Sequence, residues 1–470
     1  MRPFDMPPED FRRYGYQVVD WIADYLAGNT ELPVFPRMQP GDLVDSLPAA
    51  GPEHGEPMDR ILADFEKLVV PAINHWNHPR FHAFFSVSAS APGILGEMLA
   101  AAINTNGMLW KSSPANTELE QVVLGWLRQW MDLPSEFFGM IHDTASTSTL
   151  HAIAAARAAA DPETRTLGAR RDLILYTSEH AHSSVEKGAL SLGAGQSNVR
   201  KIAVDSEYRM KPDALEAAIR ADKAAGHKPY CIVSTVGTTS VTSIDPVQEI
   251  SEIAVRYNCW HHVDAAYGGI ATIVPECAWM IKGAERADSL VVNPHKWMFT
   301  PIDCSVFYTR RPEVLRQAFS LVPEYLRTAE DPRAVNYMDY GIPLGRRFRA
   351  LKLWFVMRYF GREKVVAIVR EHIRWASELA ESIRADDRFE VVAPVPLSLV
   401  CFRYKGSDED NRKLIDAINA SGIAFLGGNM LDGRFVIRLA IGNIGTRRED
   451  VFRVWEKVQQ LAPAAAAAAI

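Results

Sequence analysis

Between residues 90 and 350, short apolar runs alternate with stretches whose apolar residues recur at helical spacing. The apolar runs are typical of buried strands, and they lie at 172–176, 230–234, 260–264, 289–293 and 305–308. The helical stretches lie at 148–159, 212–223 and 246–256. This alternation predicts an α/β fold, in which helices cover both faces of a mostly parallel sheet.

The pattern changes on both sides of this region. Apolar residues at three- and four-residue spacing predict helices at 8–27 and about 57–70, with a proline-rich polar stretch between them. Such an N-terminal arm either packs on a partner subunit or wraps around its own domain, and the pattern leaves both open.

A smaller α+β domain is predicted after a long helix at about 345–385. Its strands lie at 389–392, 397–404 and 434–439, and its helices at 408–420 and 447–461.

Composition is ordinary for a globular protein, with 48% hydrophobic and 23% charged residues in 470. A net charge of -6 without a long basic run gives no sign of nucleic-acid or anionic-membrane binding. Five scattered cysteines, without a CxxC motif, favour free thiols in a reducing compartment. With no evident signal peptide or membrane-length apolar run, we expect a cytoplasmic enzyme.

Lys296 follows the predicted strand at 289–293, in the stretch Asn293-Pro294-His295-Lys296-Trp297. Lysine is almost never fully buried unless it is paired or used chemically. A lysine at the end of a buried strand is therefore a candidate for Schiff-base formation with an aldehyde. The alternative is an ordinary surface lysine.

Asp264 ends the predicted strand at 260–264, and His182 follows the predicted strand at 172–176. Asp264 precedes small residues that let a flat ligand approach, and its carboxylate can hold a pyridine nitrogen protonated. His182 can stack on a cofactor ring or move a proton. Each could instead cap a helix. No cysteine or acid stands at ligand spacing from His182, so a metal is not expected.

A phosphate site is predicted where Asp143-Thr144-Ala145-Ser146-Thr147-Ser148-Thr149 precedes an alanine-rich helix. Small and hydroxyl-bearing residues at a helix N-terminus leave backbone N–H groups free for an anion, although the same residues also serve as simple caps. Thr239 could add a second hydroxyl. The chain has no GxxxxGK[ST] motif and no GxGxxG motif after a strand, so a nucleotide is not expected.

Together these residues fit one ligand. Lys296 suits an aldehyde, Asp264 suits a ring nitrogen, and His182 suits a ring face. The stretch at 145–146 suits a phosphate. Pyridoxal 5′-phosphate carries all four groups.

The chain also resembles the group II pyridoxal-phosphate decarboxylases, most nearly the aromatic-L-amino-acid decarboxylases. The motifs are Pro294-His295-Lys296-Trp297, His262-Val263-Asp264-Ala265-Ala266-Tyr267, His182-Ser183-Ser184, Ser113 to Glu120, and Ile342 to Arg349. The resemblance implies a type I aminotransferase-like fold with an arm at 1–88, a large domain at 89–352 and a small domain at 353–470. It also implies a homodimer with sites at the subunit interface and the arm on the partner.

By this resemblance Lys296 forms the internal aldimine, and Asp264 pairs with the pyridine nitrogen. His182 stacks on one ring face, and Ala266 packs on the other. The residues around the phosphate or the aldimine are Ala145, Ser146, Thr239, Asn293 and His295. Asp143 departs from the family, which has a small neutral residue at this position. An acid there repels a phosphate unless its side chain points away.

The implied reaction converts an aromatic L-amino acid (tryptophan, 5-hydroxytryptophan, DOPA, tyrosine or phenylalanine) to its amine and carbon dioxide through a quinonoid intermediate. Tyr337 lies in a charged, loop-like stretch, Leu326 to Tyr340, that could close over the substrate. By resemblance Tyr337 is the catalytic-loop tyrosine and the candidate that protonates Cα, and aldehyde-forming homologues have phenylalanine there. The alternative is a tyrosine that packs a surface loop.

The implied substrate pocket is apolar and aromatic, which suits an aromatic side chain. Its residues are Trp76, Phe84, Phe85, Ser86, Val87, Gly345 and, contributed across the interface, Met108. Ser86 and Met108 replace the proline and phenylalanine common in the animal enzymes. Arg438 could bind the substrate carboxylate, but we expect it to form a structural ion pair.

Other functions stay open. The same cofactor could support oxidative aldehyde formation, transamination or decarboxylation of a non-aromatic amino acid. No basic residue stands out for a distal carboxylate, which argues against glutamate or aspartate. A non-catalytic binding protein is a further alternative, although such a protein has no chemical need for the four candidate catalytic residues together.

Overall fold

The structure is a computed structural model that describes residues 4–321 and 333–462. The strands are β1 (Phe138–His142), β2 (Leu173–Ser178), β3 (Val199–Ile202), β4 (Lys228–Thr235), β5 (Trp260–Asp264), β6 (Ser289–Val292), β7 (Ser305–Thr309), β8 (Phe389–Val391), β9 (Leu399–Tyr404), β10 (Gly427–Leu431) and β11 (Arg434–Ala440). The helices are α1 (Pro8–Gly28), α2 (Asp42–Ser46), α3 (Met58–Asp64), α4 (Ala91–Ile103), α5 (Pro114–Trp130), α6 (Ala145–Ala160), α7 (Thr164–Leu167), α8 (Ser183–Ser191), α9 (Pro212–Ala224), α10 (Val247–Tyr257), α11 (Pro294–Trp297), α12 (Pro312–Phe319), α13 (Arg349–Arg384), α14 (Asp408–Ala420) and α15 (Arg448–Leu461).

The large sheet has seven strands in the order β1-β7-β6-β5-β4-β2-β3. Only β7 runs antiparallel to its neighbours among these strands, so the predicted mostly parallel sheet is confirmed. Each of the five predicted apolar runs forms a strand. All residues of β2 are buried, because a parallel strand is covered on both faces and needs apolar side chains on each.

Sheet direction brings the candidate residues together. β1, β2, β4, β5 and β6 all point the same way, so their carboxyl ends meet at one edge of the sheet. Ligands bind at this edge in open α/β sheets. Each of these five strands is followed, directly or after a few residues, by one part of the predicted cofactor site.

Two strands of this sheet were not predicted. β1 contains a glycine and a histidine, and β3 carries Arg200 and Lys201 at the sheet edge. Neither sequence forms a continuous apolar run, and edge strands often carry charges.

The N-terminal arm contains the predicted helices with changed ends. α1 matches the prediction, but α3 stops at Asp64 and continues as a π-helical segment at Phe65–Val69. The hydroxyl of Tyr25 lies 3.0 Å from Nδ1 of His75, which ties α1 to its own chain. Phe11 and Tyr16 remain 68% and 65% exposed on the same helix. The arm thus contacts its own chain and also presents uncovered aromatic rings.

The second sheet is antiparallel, in the order β10-β11-β9-β8. The long helix α13 begins at Arg349, four residues later than predicted, and is interrupted at Gly361 (φ 64°, ψ 171°). β10 was not predicted, because its two glycines and asparagine are poor strand formers.

The five cysteines are free and buried, which agrees with the predicted thiols. Within residues 4–321 and 333–462, none of the helices combines the length and the apolar character that a membrane crossing requires.

Gly268, in the turn after β5, lies against the backbone that follows β4. A Cβ on Gly268 would lie 2.5 Å from the carbonyl oxygen of Val236. We expect Gly268→Ala to lower the free energy of unfolding by about 1–3 kcal/mol, the usual cost of overpacking. Thermal denaturation measures this. Gly125→Ala in α5 is the control, because a Cβ there meets nothing within 4 Å and alanine favours a helix by about 0.5–1 kcal/mol. Equal stability of the two variants would contradict the prediction.

Candidate active site

Lys296 lies in α11, the single helical turn that follows β6. Pro294 begins this turn with its fixed φ angle, and the backbone N–H of Lys296 donates to Asn293 O (2.9 Å). Burial lowers the pKa of the Lys296 ammonium group, and the charge of Asp264 acts in the opposite direction. A lowered pKa leaves more neutral amine, which is the form that attacks an aldehyde.

Asp264 ends β5 and is 5% exposed. Its Oδ1 accepts a hydrogen bond from the Ala266 N–H (3.1 Å). This bond closes a turn, and no helix begins at Asp264, so the alternative of a helix cap is wrong. Asp264 forms no ion pair with another described residue, although its charge acts on both Lys296 and His182. A buried, unpaired carboxylate is costly, so a protonated ring nitrogen suits this position.

His182 is the N-cap of α8, so the capping alternative is confirmed. Its Nδ1 accepts from the Ser184 N–H (3.1 Å) and lies 2.8 Å from the Ser184 hydroxyl. Burial lowers the pKa of His182, with Asp264 raising it and Lys296 lowering it. The ring itself is exposed. The cap therefore fixes a neutral imidazole whose face remains available for stacking.

The predicted phosphate site lies at the N-terminus of α6. The helix begins at Ala145, and Ser146 is exposed there. Asp143 turns its carboxylate back to the Thr144 N–H (2.6 Å). This hydrogen bond holds the carboxylate of Asp143, the residue that departs from the family pattern, against its own backbone. Ser146 and the first backbone N–H groups of α6 suit a phosphate.

Asn293, His295 and Thr239 lie at neighbouring strand ends. Asn293 is 2% exposed, and its Oδ1 is buried without a hydrogen-bond partner in the described chain. Nδ1 of His295 accepts from the Cys304 N–H (2.9 Å), and burial lowers the pKa of His295 to about 3. The neutral ring of His295 then carries its proton on Nε2. Thr239 is exposed.

These residues fit pyridoxal 5′-phosphate. Among the described residues, the Asp264 carboxylate lacks a cationic partner and Asn293 Oδ1 lacks a hydrogen-bond partner, while Ser146 is exposed at the N-terminus of α6. Each would gain a partner from the cofactor, since unsatisfied buried polar groups are costly.

A column of parallel rings passes beside Lys296. Phe85 stacks on Tyr267 (ring centroids 3.7 Å apart, 6° between planes), and Tyr267 stacks on Trp297 (4.6 Å, 1°). Nζ of Lys296 lies 5.7 Å from the centre of the Phe85 ring. Sequence reasoning named Phe85 but missed the roles of Tyr267 and Trp297, although both rings stand in the quoted motifs.

The other predicted pocket residues fall into two groups. Trp76 stacks on Phe84 (5.7 Å), which is half exposed, and Ser86 and Val87 follow on the same segment as Phe85. Met108 and Gly345 lie elsewhere. The carbonyl of Met108 accepts from the Met338 N–H (3.2 Å), and Gly345 lines a separate cavity of about 510 Å³.

Arg438 does not form the expected ion pair with any described residue. Its guanidinium donates to three backbone carbonyls, those of Thr239 (2.7 Å), Ser240 (3.2 Å) and Ala83 (3.3 Å). Burial lowers the pKa of Arg438. The expectation was wrong because the loop after β4 supplies carbonyl acceptors that the sequence does not reveal.

Tyr337 begins a 3₁₀ turn at Tyr337–Tyr340 and is 1% exposed. The Arg346 guanidinium lies 4.4 Å from its ring centre, and Phe138 packs at 5.9 Å. Its hydroxyl has no hydrogen-bond partner in the described chain, and burial raises its pKa well above the usual value. Residues 326–332 of the predicted loop lie outside the described residues, so the role of Tyr337 as proton donor stays a prediction.

The comparisons with known proteins agree with this site. The model of the "Pyridoxal-dependent decarboxylase conserved domain" matches residues 40–405. An aromatic-L-amino-acid decarboxylase of Rattus norvegicus is 39% identical over 97% of this chain and 98% of its own length. A phenylacetaldehyde synthase of Arabidopsis thaliana is 38% identical, with 98% and 97% covered. The crystal structure of Oryza sativa TDC with PLP and tryptamine has a TM-score of 0.95 and 36% identity, with 98% of this chain and 99% of that chain covered.

The fold and the site define a pyridoxal-phosphate enzyme with the type I aminotransferase-like architecture, as the sequence predicted. The chain belongs to the pyridoxal-dependent decarboxylase family and is a carboxy-lyase with pyridoxal 5′-phosphate as its cofactor.

Burial lowers the pKa of Lys296 and the charge of Asp264 raises it, so removing that charge should change the pH at which the amine reacts. In cofactor-free protein, Asp264→Asn removes the charge that raises the Lys296 pKa, so this pKa should fall further. The amine is protonated and unreactive below its pKa. We therefore expect imine formation to begin at lower pH in the variant.

Reductive methylation with formaldehyde, followed by mass spectrometry of the Lys296 peptide, measures this shift. Asp143→Asn is the matched control, because Asp143 does not contribute to the Lys296 pKa. A pH profile shared by Asp264→Asn and the unsubstituted protein would refute the coupling.

Proposed function

We propose that this protein decarboxylates an aromatic L-amino acid to the corresponding amine and carbon dioxide. The observation that carries the proposal is the desolvated Lys296 amine beside the Phe85 ring, with the unpaired Asp264 carboxylate buried nearby. The similarity to an aromatic-L-amino-acid decarboxylase over nearly the whole chain supports the aromatic substrate class.

Each residue has a role that follows from its position. When bound, pyridoxal 5′-phosphate supplies an aldehyde and a ring that accepts electrons as carbon dioxide leaves. The Lys296 amine would hold the cofactor through its aldehyde. Asp264 would hold the proton of the ring nitrogen, and the His182 ring would fix the position of the cofactor ring by stacking. Ser146, Thr239 and the N-terminus of α6 would hold the phosphate, and the buried His295 and Ala266 would shape the wall of the site.

The pocket favours an aromatic side chain over an acidic one. Three of the predicted pocket residues, Trp76, Phe84 and Phe85, carry aromatic rings. Aromatic rings prefer to pack on one another, so these residues suit an aromatic substrate. The buried Arg438, whose guanidinium lies 5.9 Å from the centre of the Phe85 ring, has three carbonyl partners of its own. This arrangement offers no evident partner for a distal carboxylate.

The functional unit in this proposal is a cytoplasmic homodimer with sites at the interface. Exposed apolar side chains on α1 and α4 support an interface; they include Phe11 (68%), Tyr16 (65%), Leu95 (51%) and Ile103 (58%). Exposed apolar patches of this kind mark protein contacts. The arm at 1–88 packs on the partner, and the domains at 89–352 and 353–470 form the body of each subunit.

Met108, Gly345 and Tyr337 act on the other subunit's site in this arrangement. Met108 and the Tyr337 turn are joined by the Met338–Met108 hydrogen bond. The Tyr337 hydroxyl lacks a partner in its own chain. It would deliver a proton to Cα of the substrate bound across the interface.

Carbon dioxide release is the direct test of this function. The cofactor-loaded protein should release it from at least one of tryptophan, 5-hydroxytryptophan, DOPA, tyrosine and phenylalanine, with one amine formed per carbon dioxide. Lys296→Ala should form no amine, because the variant cannot bind the aldehyde. Release from glutamate or histidine alone would overturn the aromatic pocket, and release from none would overturn the reaction.

Aldehyde formation is the second candidate, because a phenylacetaldehyde synthase is similar over nearly the whole chain. Ammonia and hydrogen peroxide would accompany an aldehyde formed in air. We expect the amine to predominate, since Tyr337 carries the hydroxyl that a proton donor needs.

Tyr337→Phe removes that hydroxyl and keeps the packing of the ring. Loss of a positioned acid costs about 100-fold or more in rate, so we expect amine formation to fall by that factor at unchanged thermal stability. Two further variants serve as comparisons. One is Tyr340→Phe in the same turn, and the other is Tyr325→Phe, at a position outside the described residues. A loss confined to Tyr325→Phe would assign the proton donor to Tyr325 instead.

A further inference from the structure

Two histidines that the mechanism does not use lie behind the phosphate site. His142 ends β1 and His151 lies in the second turn of α6, with ring centroids 4.2 Å apart. Both are buried. Burial lowers the pKa of His151 to about 4, and that of His142 falls well below its usual value. Both rings are therefore neutral at neutral pH.

The hydrogen bonds of His151 define which nitrogen carries the proton. Nδ1 lies 2.7 Å from the carbonyl oxygen of Thr147, which can only accept, so Nδ1 is the donor. Nε2 must then accept, and the backbone N–H of Ile342 donates to it at 3.1 Å. The neutral ring is fully satisfied. A second proton on Nε2 would face the Ile342 N–H and break this bond.

His151 thus joins two parts of the proposed site. Thr147 belongs to the first turn of α6, which forms the phosphate site. Ile342 lies two residues after the turn Tyr337–Tyr340. Gly341 passes so close that a Cβ there would lie 2.7 Å from Nε2 of His151.

The chain that leads into this region contacts the same histidine. The ring of Phe319, at the end of α12, lies 4.6 Å from the His151 ring. The hydroxyl of Ser320 donates to Oδ1 of Asp339 (3.0 Å), and Arg316 forms an ion pair with Asp339 (3.9 Å). The described residues on both sides of Tyr337 therefore converge on one buried imidazole.

We propose that His151 is a positioning residue for the decarboxylation, because its neutral ring fixes the backbone of Ile342, and with it the Tyr337 turn, to the phosphate-binding helix. The proposal rests on the function proposed above. It also implies that protonation of His151 releases the turn, so that activity is lost on the acid side.

Few charges face the two rings from the surrounding elements. Asp143, just before α6, favours protonation of His151. His142 of β1 stacks on it, and Arg346 and Arg349 oppose protonation of His142. From α12 and the 341–342 backbone, the facing groups are the uncharged Phe319 and main-chain atoms. Asp143→Asn should therefore move the acid limb to lower pH.

Two substitutions separate the hydrogen bond from the volume of the ring. His151→Gln places a carboxamide oxygen near the position of Nε2 and can still accept from Ile342. His151→Leu cannot. Amide hydrogen exchange at Ile342 measures the bond directly and needs no catalysis. We expect loss of protection in His151→Leu and retained protection in His151→Gln.

Kinetics then test the consequence for the reaction. Misplacing a reacting group by about 1 Å costs up to about 100-fold, so kcat should fall between about tenfold and 100-fold in His151→Leu. KM and cofactor affinity should change less than about twofold, and His151→Gln should retain most of kcat. Gly341→Ala places a methyl group against Nε2 of His151, which displaces the backbone at 341–342, and should reproduce the kcat loss. His142→Gln is the control, because Nε2 of His142 has no hydrogen bond to lose in the described chain.

Three results would overturn the proposal. One is unchanged Ile342 exchange in His151→Leu, and another is an equal loss of kcat in the Gln and Leu variants. The third is a loss of cofactor affinity as large as the loss of kcat, which would mean that His151 only supports the phosphate helix. If the unsubstituted protein released no carbon dioxide, the proposed function would fail, while the exchange measurement would still decide the His151–Ile342 bond.

Discussion

The site depends on one electrostatic constraint, the burial of the Asp264 carboxylate without a cationic partner in the described chain. Nearby, burial disfavours the charged form of Lys296. In water neither group would be unusual. At the covered edge of a parallel sheet, each is costly until a ligand with a cationic ring nitrogen and an aldehyde meets both. The arrangement gives up stability in the empty protein in order to bind and polarise the cofactor.

The sheet makes this arrangement possible because its parallel strands end at one edge. Short turns then carry Lys296, Asp264 and His182 into the same space. The turn after β5 relies on Gly268, where the backbone of Val236 leaves no room for a side chain. The stacked rings of Phe85, Tyr267 and Trp297 form a rigid apolar column, and the Phe85 ring at its end lies 5.7 Å from Nζ of Lys296.

A second group of residues, which includes Met108 and the Tyr337 turn, is built on the same framework. Met108 and the Tyr337 turn are joined through the Met338–Met108 bond, and His151 links this turn to the phosphate helix. In the proposed dimer, the phosphate helix of one site would thus be joined to residues that serve the other site. The proposed homodimer would therefore be needed to complete each pocket.

Much of the fold was predictable from sequence, because buried parallel strands need continuous apolar runs and amphipathic helices repeat at 3.6 residues. The strands β1, β3 and β10 were not predicted, because a glycine, charged side chains at the sheet edge or an asparagine interrupts the apolar run. The chemistry of the site was also predictable: Lys296, Asp264 and His182 each follow an apolar strand, and their side chains match the functional groups of one cofactor.

Only the tertiary structure decided which groups have partners. It gave Arg438 three carbonyls in place of the expected ion pair, turned the Asp143 carboxylate back to its own backbone, and joined His151 to Ile342 across 191 residues of sequence. The physical reason is that strand periodicity and residue chemistry are local properties of the chain. Hydrogen-bond partners and burial are set by segments that are distant in sequence and meet only when the chain folds.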